Sequence, residues 1–422
     1  MDKRAFLKNF SAMSLSLPLT MPWLDELVSH HSHVPPFTLA SDEGFWAEIR
    51  KGYRLKDEYI NLENGYYCML PEETLEHYLN HIREINLHAS YYMRTVQWEN
   101  KKKSATRLAE MAGCLPEELV ITRNTTESLD LIIAGVPWQK GDEAVMAEQD
   151  YGAMLNQFQL MESRHGIVSK RVSLPNHPKN DQEIVDLYAS AITEKTRLLM
   201  VCHLVNITGQ VLPIRKICDM AHCKGVEVMV DGAHAFAQLD FKISDLDCDY
   251  YGTSLHKWLS VPLGAGFLYV KKGKATNITP LLAEGPREPD DISRLNHIGT
   301  HPVHTDLAII NAIEYHNKIG IKRKEARLKY LQDYWTSRVR ELPRVKVNTP
   351  KEMERHGAIG NVGIAGMEPS ELSKRLMEEH HIWTVAIKRV NVEGIRVTPN
   401  VYTTTEELDA FVKAIRVLSG NA

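Results

Sequence analysis

The sequence predicts an α/β protein: a large domain built on a mainly parallel sheet, followed by a smaller α+β C-terminal domain. Strand candidates recur at Glu143–Ala147, Ile167–Val172, Thr196–Cys202, Val226–Val230 and Gly266–Val270, most of them near-continuous apolar runs. Helical periodicities separate several of them, and strands apolar on both faces that alternate with helices belong in a buried parallel sheet. From about residue 305 the pattern changes to one long helix, Asp306–Arg340, then short strands at Arg344–Val347, Ala358–Ile364 and Gly394–Thr398, and terminal helices.

At 422 residues the chain has room for two or three domains. A net charge of -4 gives no electrostatic reason to expect nucleic acid as a partner. Six cysteines are too few and too scattered for a disulfide scaffold. Cys218, His222 and Cys223 share one amphipathic helix, Ile217–Lys224, with no second ligand pair at zinc-type spacing, so no metal site is expected. The triplet His30, His31 and His33 in a polar linker is the other conceivable metal ligand set.

Residues 1–33 read as a leader and linker, 34–60 as an N-terminal arm, 61–304 as the large domain and 305–422 as the small one. The leader begins Asp2-Lys-Arg-Ala-Phe-Leu-Lys8, and an apolar stretch from Phe10 to Trp23 contains Pro18 and Pro22. That stretch is too short and too broken to span a membrane, and no other segment is apolar enough. The motif resembles a twin-arginine export signal with Lys3 in place of the first arginine, which implies a periplasmic location. The alternative is an ordinary cytoplasmic N-terminal arm.

In chain order, Lys101–Gly113 reads as a helix ended by its glycine, and Leu119–Thr122 as a strand entering Arg-Asn-Thr-Thr-Glu127. Hydroxyls and amides at that strand-to-helix junction suit an anion, or simply cap the next helix. Asn206, in Val205-Asn-Ile-Thr-Gly209, follows a strand and donates to a ligand or satisfies its own turn. Asp231 ends the run Val-Glu-Val-Met-Val, where open α/β sheets place ligands, with His234 one turn on. Tyr251-Gly-Thr-Ser-Leu-His-Lys257-Trp258 then sets a lysine beside Ser254 and His256, ahead of the glycine-rich Pro262–Gly266. Arg396 lies in a short strand, and its fork matches a carboxylate.

A lysine amine able to form a Schiff base, with a carboxylate able to hold a pyridine nitrogen protonated, is the pair that pyridoxal 5'-phosphate requires. With the other segments in this order, the chain resembles the class V aminotransferases, fold-type I pyridoxal-phosphate enzymes that include cysteine desulfurases, kynureninases and isopenicillin N epimerase-like proteins. The resemblance covers about residues 55 to 417 and implies a seven-stranded-type sheet. It makes Lys257 the Schiff-base lysine, Asp231 the partner of the ring nitrogen, and Asn206 and His234 contacts of the phenolic oxygen. It assigns Thr125 and Thr126 to the phosphate, with Ser254 and His256 closing the cup and Asn124 where the family usually has glycine. Tyr151, next to Asp150, matches the ring-stacking position. Asn64 and Gly65, in Asn61-Leu-Glu-Asn-Gly65, match the substrate-side opening motif, and Arg396 the substrate carboxylate. Gly299-Thr300 matches a pair that reaches the phosphate from a second subunit, which implies a homodimer.

The resemblance implies an enzyme acting on an amino acid or amino-acid-derived substrate through an external aldimine, with Lys257 as the base. Residues 380–393, where desulfurases carry a nucleophilic cysteine, contain none, which disfavours desulfuration. Transamination, epimerisation and elimination remain, and His256, His301, His304, Tyr66 and Tyr67 are candidates for a second acid or base. With its leader, the chain also resembles periplasmic class V enzymes that tailor a peptide siderophore. A non-catalytic cofactor-binding protein is the alternative of a different class; the complete set Asp231, His234, Lys257 and Arg396 argues against it.

Overall fold

Alternation of apolar side chains along five central strands decides the architecture. In β3 (Glu143–Ala147), Ala144 and Met146 enter one apolar cluster while Val145 and Ala147 enter another. The same alternation recurs in β5 (Thr196–Cys202), with Leu198 and Met200 against Leu199 and Val201, and in β6 (Glu227–Asp231), with Met229 against Val228 and Val230. Both faces are therefore covered, as a period of two with no polar face requires.

The computed structural model of the protein describes residues 21–282, 285–389 and 391–421. With β2 (Leu119–Thr122), β4 (Val168–Val172), β7 (Tyr250–Ser254) and β8 (Gly266–Val270), the large sheet has seven strands in the order β2-β8-β7-β6-β5-β3-β4. Only β8 runs antiparallel to its neighbours. A second sheet is antiparallel, in the order β12-β13-β10-β9, from β9 (Val345–Val347), β10 (Gly360–Ile364), β12 (Val385–Arg389) and β13 (Val392–Val397). Trp335, Leu376 and Phe411, from three helices, cover it in its own apolar cluster.

The N-terminal part of the chain returns to this smaller domain, where it adds a two-stranded sheet of its own. Strand β1 (Ile60–Asn61) pairs in parallel with β11 (Ile382–Trp383), and Glu63 bridges Thr398. Buried Arg327 fixes the preceding segment, donating to the Ala40 and Thr403 carbonyls and to the Glu43 carboxylate. These contacts lay residues 60–65 across the mouth between the two sheets, beside Arg396 of β13.

Several expectations change. The single helix expected over Asp306–Arg340 is two, Val303–Ile319 and Ile321–Val339, broken at Gly320, whose φ of +86° lies in the left-handed region. Residues 21–33, expected as leader and linker, include the helix Pro22–His30, whose Leu24 is fully buried with Met21 in the main core. The Asp2–Lys8 motif lies outside the described residues. The helical segment Glu72–Thr95, which is kinked at Ala89, where φ is +43°, was not anticipated; among its side chains only Thr74 and Tyr92 are buried. Ile382–Trp383 and Val385–Arg389, where no strand was expected, form β11 and β12. Among the described residues, no helix is long and apolar enough to cross a membrane.

Candidate active site

A cleft of about 450 Å³ opens at the carboxyl ends of β2, β5, β6 and β7, facing β13. Its size suits a cofactor with a small substrate, and its position is the one open parallel sheets offer ligands. It is lined by Thr125, Thr126, Tyr151, Asn206, Asp231, His234, Ser254, His256, Lys257, Gly65 and Arg396. Residues from six connections, those after β1, β2, β3, β5, β6 and β7, and from the two larger sheets thus converge.

The basic centre is Lys257. Its Nζ lies 2.9 Å from Nε2 of His234. Burial lowers its pKa to about 8; Asp231 pulls the other way, and Arg396 adds to the lowering. The His234 imidazole is pushed well below its ordinary value, first by burial and then by the Lys257 charge, so the ring is neutral. The indole N–H of Trp258 donates to Nδ1 of His234 at 3.4 Å. An indole is a donor only, so this contact makes Nδ1 the acceptor and leaves the ring proton on Nε2, facing the amine. His234 can then donate only to an unprotonated Lys257.

Asp231 ends β6 and is 3% exposed. Burial raises its pKa, while the Ala233 N–H (3.0 Å to Oδ1) and the Lys257 charge oppose the rise. Lys257 and Asp231 both line the cleft, and the charge of each favours the ionised form of the other.

At the other end, the helix Thr125–Gly135 points its N-terminus into the cleft. The Thr125 N–H donates to Ser254 Oγ at 2.9 Å, and the two hydroxyl oxygens lie 2.8 Å apart. Asn124 is the N-cap, accepting from the Glu127 N–H at 2.9 Å with φ of -174°. Asn124 thus keeps an extended φ at the position where the family usually has glycine, and the close approach is made at Gly266, where a Cβ would sit 2.7 Å from the Asn124 Cα. Tyr151 caps the helix Gly152–His165 and is 44% exposed at the cleft, whereas Asp150 is fully buried and accepts from the Ala147 N–H. Of the two, Tyr151 lines the cleft and Asp150 does not.

Two expected residues lie elsewhere. Asn64 is fully buried outside the cleft lining: its amide donates to the Thr398 carbonyl and its oxygen accepts from the Tyr402 hydroxyl, so it ties the loop down instead of facing a ligand. Thr300 is exposed in a separate groove with Lys101 and Arg287. Of the candidate second acids or bases, Tyr66 and His256 line the cleft and Tyr67 stacks on His256. His301 is held by Asp306 at 2.9 Å, and His304 packs on Tyr78. Sequence reasoning missed Trp258 as the residue that orients His234, and Glu63, whose carboxylate grips Arg396. A signal for Trp258 existed, since it adjoins Lys257; Glu63 sits inside a quoted motif, but nothing in its spacing relates it to residue 396.

The chain belongs to the aminotransferase class V family, whose model matches residues 69–411. It is thus a pyridoxal-phosphate-dependent enzyme of fold type I. It is similar to isopenicillin N epimerase of Streptomyces clavuligerus, with 26% identity over 89% of this chain and 98% of the relative. The isopenicillin N epimerase of Amycolatopsis lactamdurans is equally similar, at 26% over the same shares. A probable cysteine desulfurase of Synechocystis sp. is 23% identical over 88% of this chain and 94% of the relative. Among solved structures, the cysteine desulfurase of Thermococcus onnurineus NA1 superposes with a TM-score of 0.79 at 20% identity, covering 89% and 98% of the two chains. The cystine C-S lyase C-DES gives 0.75 at 22% identity, covering 85% and 97%.

The cleft fits the cofactor on its own chemistry. Asn206 Oδ1 and His256 Nδ1 are buried polar atoms without a protein partner, which a polar ligand would satisfy. Thr125, Thr126 and Ser254 would hold the phosphate, Asp231 the pyridine nitrogen, Asn206 and His234 the phenolic oxygen, and Tyr151 the ring face. Only an unprotonated amine adds to the aldehyde, and Lys257 releases its proton near pH 8 where a solvated lysine does so near 10.5. Incorporation of pyridoxal 5'-phosphate into the apo chain is therefore expected to slow about tenfold per pH unit below that midpoint and to level off above it. Asp231→Asn, which removes the carboxylate that raises the Lys257 pKa, shifts the midpoint downward. Stopped-flow absorbance across pH checks both; a rate still climbing toward pH 10 would contradict the assignment.

Proposed function

We propose that the protein moves a proton at the carbon bearing the amine of an amino acid or amino-acid-derived substrate, as an aminotransferase- or epimerase-type enzyme. The observation that carries this reading is the buried Lys257 amine, oriented by His234, in one cleft with Asp231 and Arg396. Pyridoxal 5'-phosphate, when bound, supplies the electron sink for the bond broken at that carbon. Lys257 takes the proton and can return it, since a pKa near 8 leaves it competent in both directions close to neutrality. Arg396 fixes a carboxylate and so orients the carbon toward Lys257. Tyr66 and His256, on the cleft wall, are positioned to serve a second proton transfer.

Persulfide chemistry is disfavoured by the cysteines. Residues 380–393 carry none and contain two strands where a mobile nucleophile would need a loop. Cys202 lines the cleft, but burial pushes its thiol well above the ordinary value, and its Sγ donates to the Leu204 carbonyl. Cys68, fully buried, is raised to about 12 for the same reason. A thiol held protonated is a poor nucleophile.

The assembly proposed is a homodimer in which Thr300 of the partner subunit completes the phosphate seat; its exposure, away from its own chain's Lys257, supports this reading. A periplasmic location is proposed from the Asp2–Lys8 motif, and cell fractionation of the full chain against an Arg4→Gln variant checks it.

Incubation of the holoenzyme with a panel of L- and D-amino acids in D₂O tests the chemistry. At least one is expected to acquire deuterium at the α-carbon, with Lys257→Ala slower by about 10³-fold or more. The products separate transamination, epimerisation and elimination. A coloured protein that exchanges no amino acid would contradict the substrate class, and a colourless one the cofactor.

A further inference from the structure

The Arg396 guanidinium is not a free cation. Its Nε donates to Glu63 Oε2 at 3.0 Å and its Nη2 to Glu63 Oε1, a bidentate grip on one edge. Its Nη1 donates to the Asn206 carbonyl at 3.2 Å. Of the five N–H groups of a guanidinium, two remain, one on each terminal nitrogen. Both side chains are largely buried, at 10% exposure for Arg396 and 7% for Glu63, so solvent screens the pair little.

Glu63 is held in this position from its own side. Its N–H donates to Asn61 Oδ1 at 3.0 Å, and its carboxylate also accepts the Tyr66 N–H at 3.1 Å. The guanidinium lies flat against Gly65, where a Cβ would come within 3.0 Å of Cζ, so it cannot swing away on that side. The result is a built carboxylate–guanidinium pair on the cleft wall, closed by residues 333 positions apart.

We propose that Glu63 is a specificity-determining residue, an internal carboxylate that occupies and charge-compensates Arg396 and so sets how strongly the cleft selects for a carboxylate beside the reacting amine. This rests on the reading of Arg396 as the carboxylate seat. An incoming carboxylate must either share the guanidinium through its two remaining N–H groups, against the repulsion of Glu63, or displace Glu63 into a site where its charge loses its partner. Both routes weaken discrimination by the same charge. The cleft therefore accepts primary amines whose neighbouring carboxyl is absent or blocked on terms closer to those of free amino acids than an uncompensated arginine would allow.

Aminooxyacetate and O-methylhydroxylamine test this. Both discharge the visible chromophore of a lysine-bound pyridoxal, and aminooxyacetate alone carries a carboxylate. The quantity read is the ratio of their second-order rate constants with the holoenzyme, divided by the same ratio for free pyridoxal 5'-phosphate. Glu63→Gln keeps the acceptor for Tyr66 but removes the charge, and is expected to raise the ratio about tenfold through aminooxyacetate alone. Glu63→Asp, which keeps the charge, stays near the wild-type ratio and controls for disturbed packing, which would move both reagents together. In the Glu63→Gln background, adding Arg396→Met abolishes the rise.

A ratio unchanged or lowered by Glu63→Gln, while Arg396→Met alone lowers the wild-type ratio, would overturn the role of Glu63 and leave Arg396 as the seat. A rise that survives Arg396→Met would overturn the seat itself, and the proposal with it. No spectral response to either reagent would remove the cofactor reading on which both stand.

Discussion

Keeping one amine out of water is the constraint around which the cleft is built. Lys257 is desolvated, so its proton is held weakly, and each neighbour adjusts that one quantity. Asp231 restores some affinity for the proton, Arg396 reduces it, and neutral His234 presents a ring N–H that only the free base can accept. Trp258 fixes the tautomer that makes this possible. An exposed lysine in the same loop would remain protonated at neutral pH and be inert as a nucleophile.

The two sheets divide the work. The parallel sheet supplies strand ends and the start of one helix, where Asp231, Asn206, Thr125 and Ser254 gather with little freedom to move. The antiparallel sheet supplies Arg396 from β13, and the return of the chain between β1 and residue 65 brings Glu63 and Gly65 against it. The proposed substrate contact therefore depends on segments far apart in sequence, and the proposed cofactor seat mainly on local strand-to-helix junctions.

This division explains what was legible beforehand. Asp231 and the Thr125–Thr126 junction stood out because each follows an apolar strand, and strand ends can be read from residue type and period alone; Lys257 stood out by its setting between Ser254, His256 and the glycine-rich Pro262–Gly266. Arg396 and Tyr151 were reached only through family resemblance, since an arginine in a short strand or a tyrosine before a helix is ordinary. Asn64 was assigned to the substrate because its motif resembles the family's substrate-side opening motif, yet its buried amide is consumed by Thr398 and Tyr402. The break at Gly320 was hidden by helical periodicity on both sides, and β12 by the absence of a strongly apolar run. Glu63 could not have been found from spacing, because its partner is chosen by tertiary folding.

The account stands on Lys257 carrying the cofactor, and the fold contains a demanding control. Lys324 is also buried, with its pKa also lowered to about 8 by desolvation, but it donates to the Trp258 carbonyl and does not line the cleft. Burial alone therefore does not make the site. Borohydride reduction of the holoenzyme followed by peptide mass mapping decides between the two. The account predicts a single pyridoxyl group on the peptide bearing Lys257 and none on the peptide bearing Lys324; label on Lys324, or label spread over surface lysines, would contradict it.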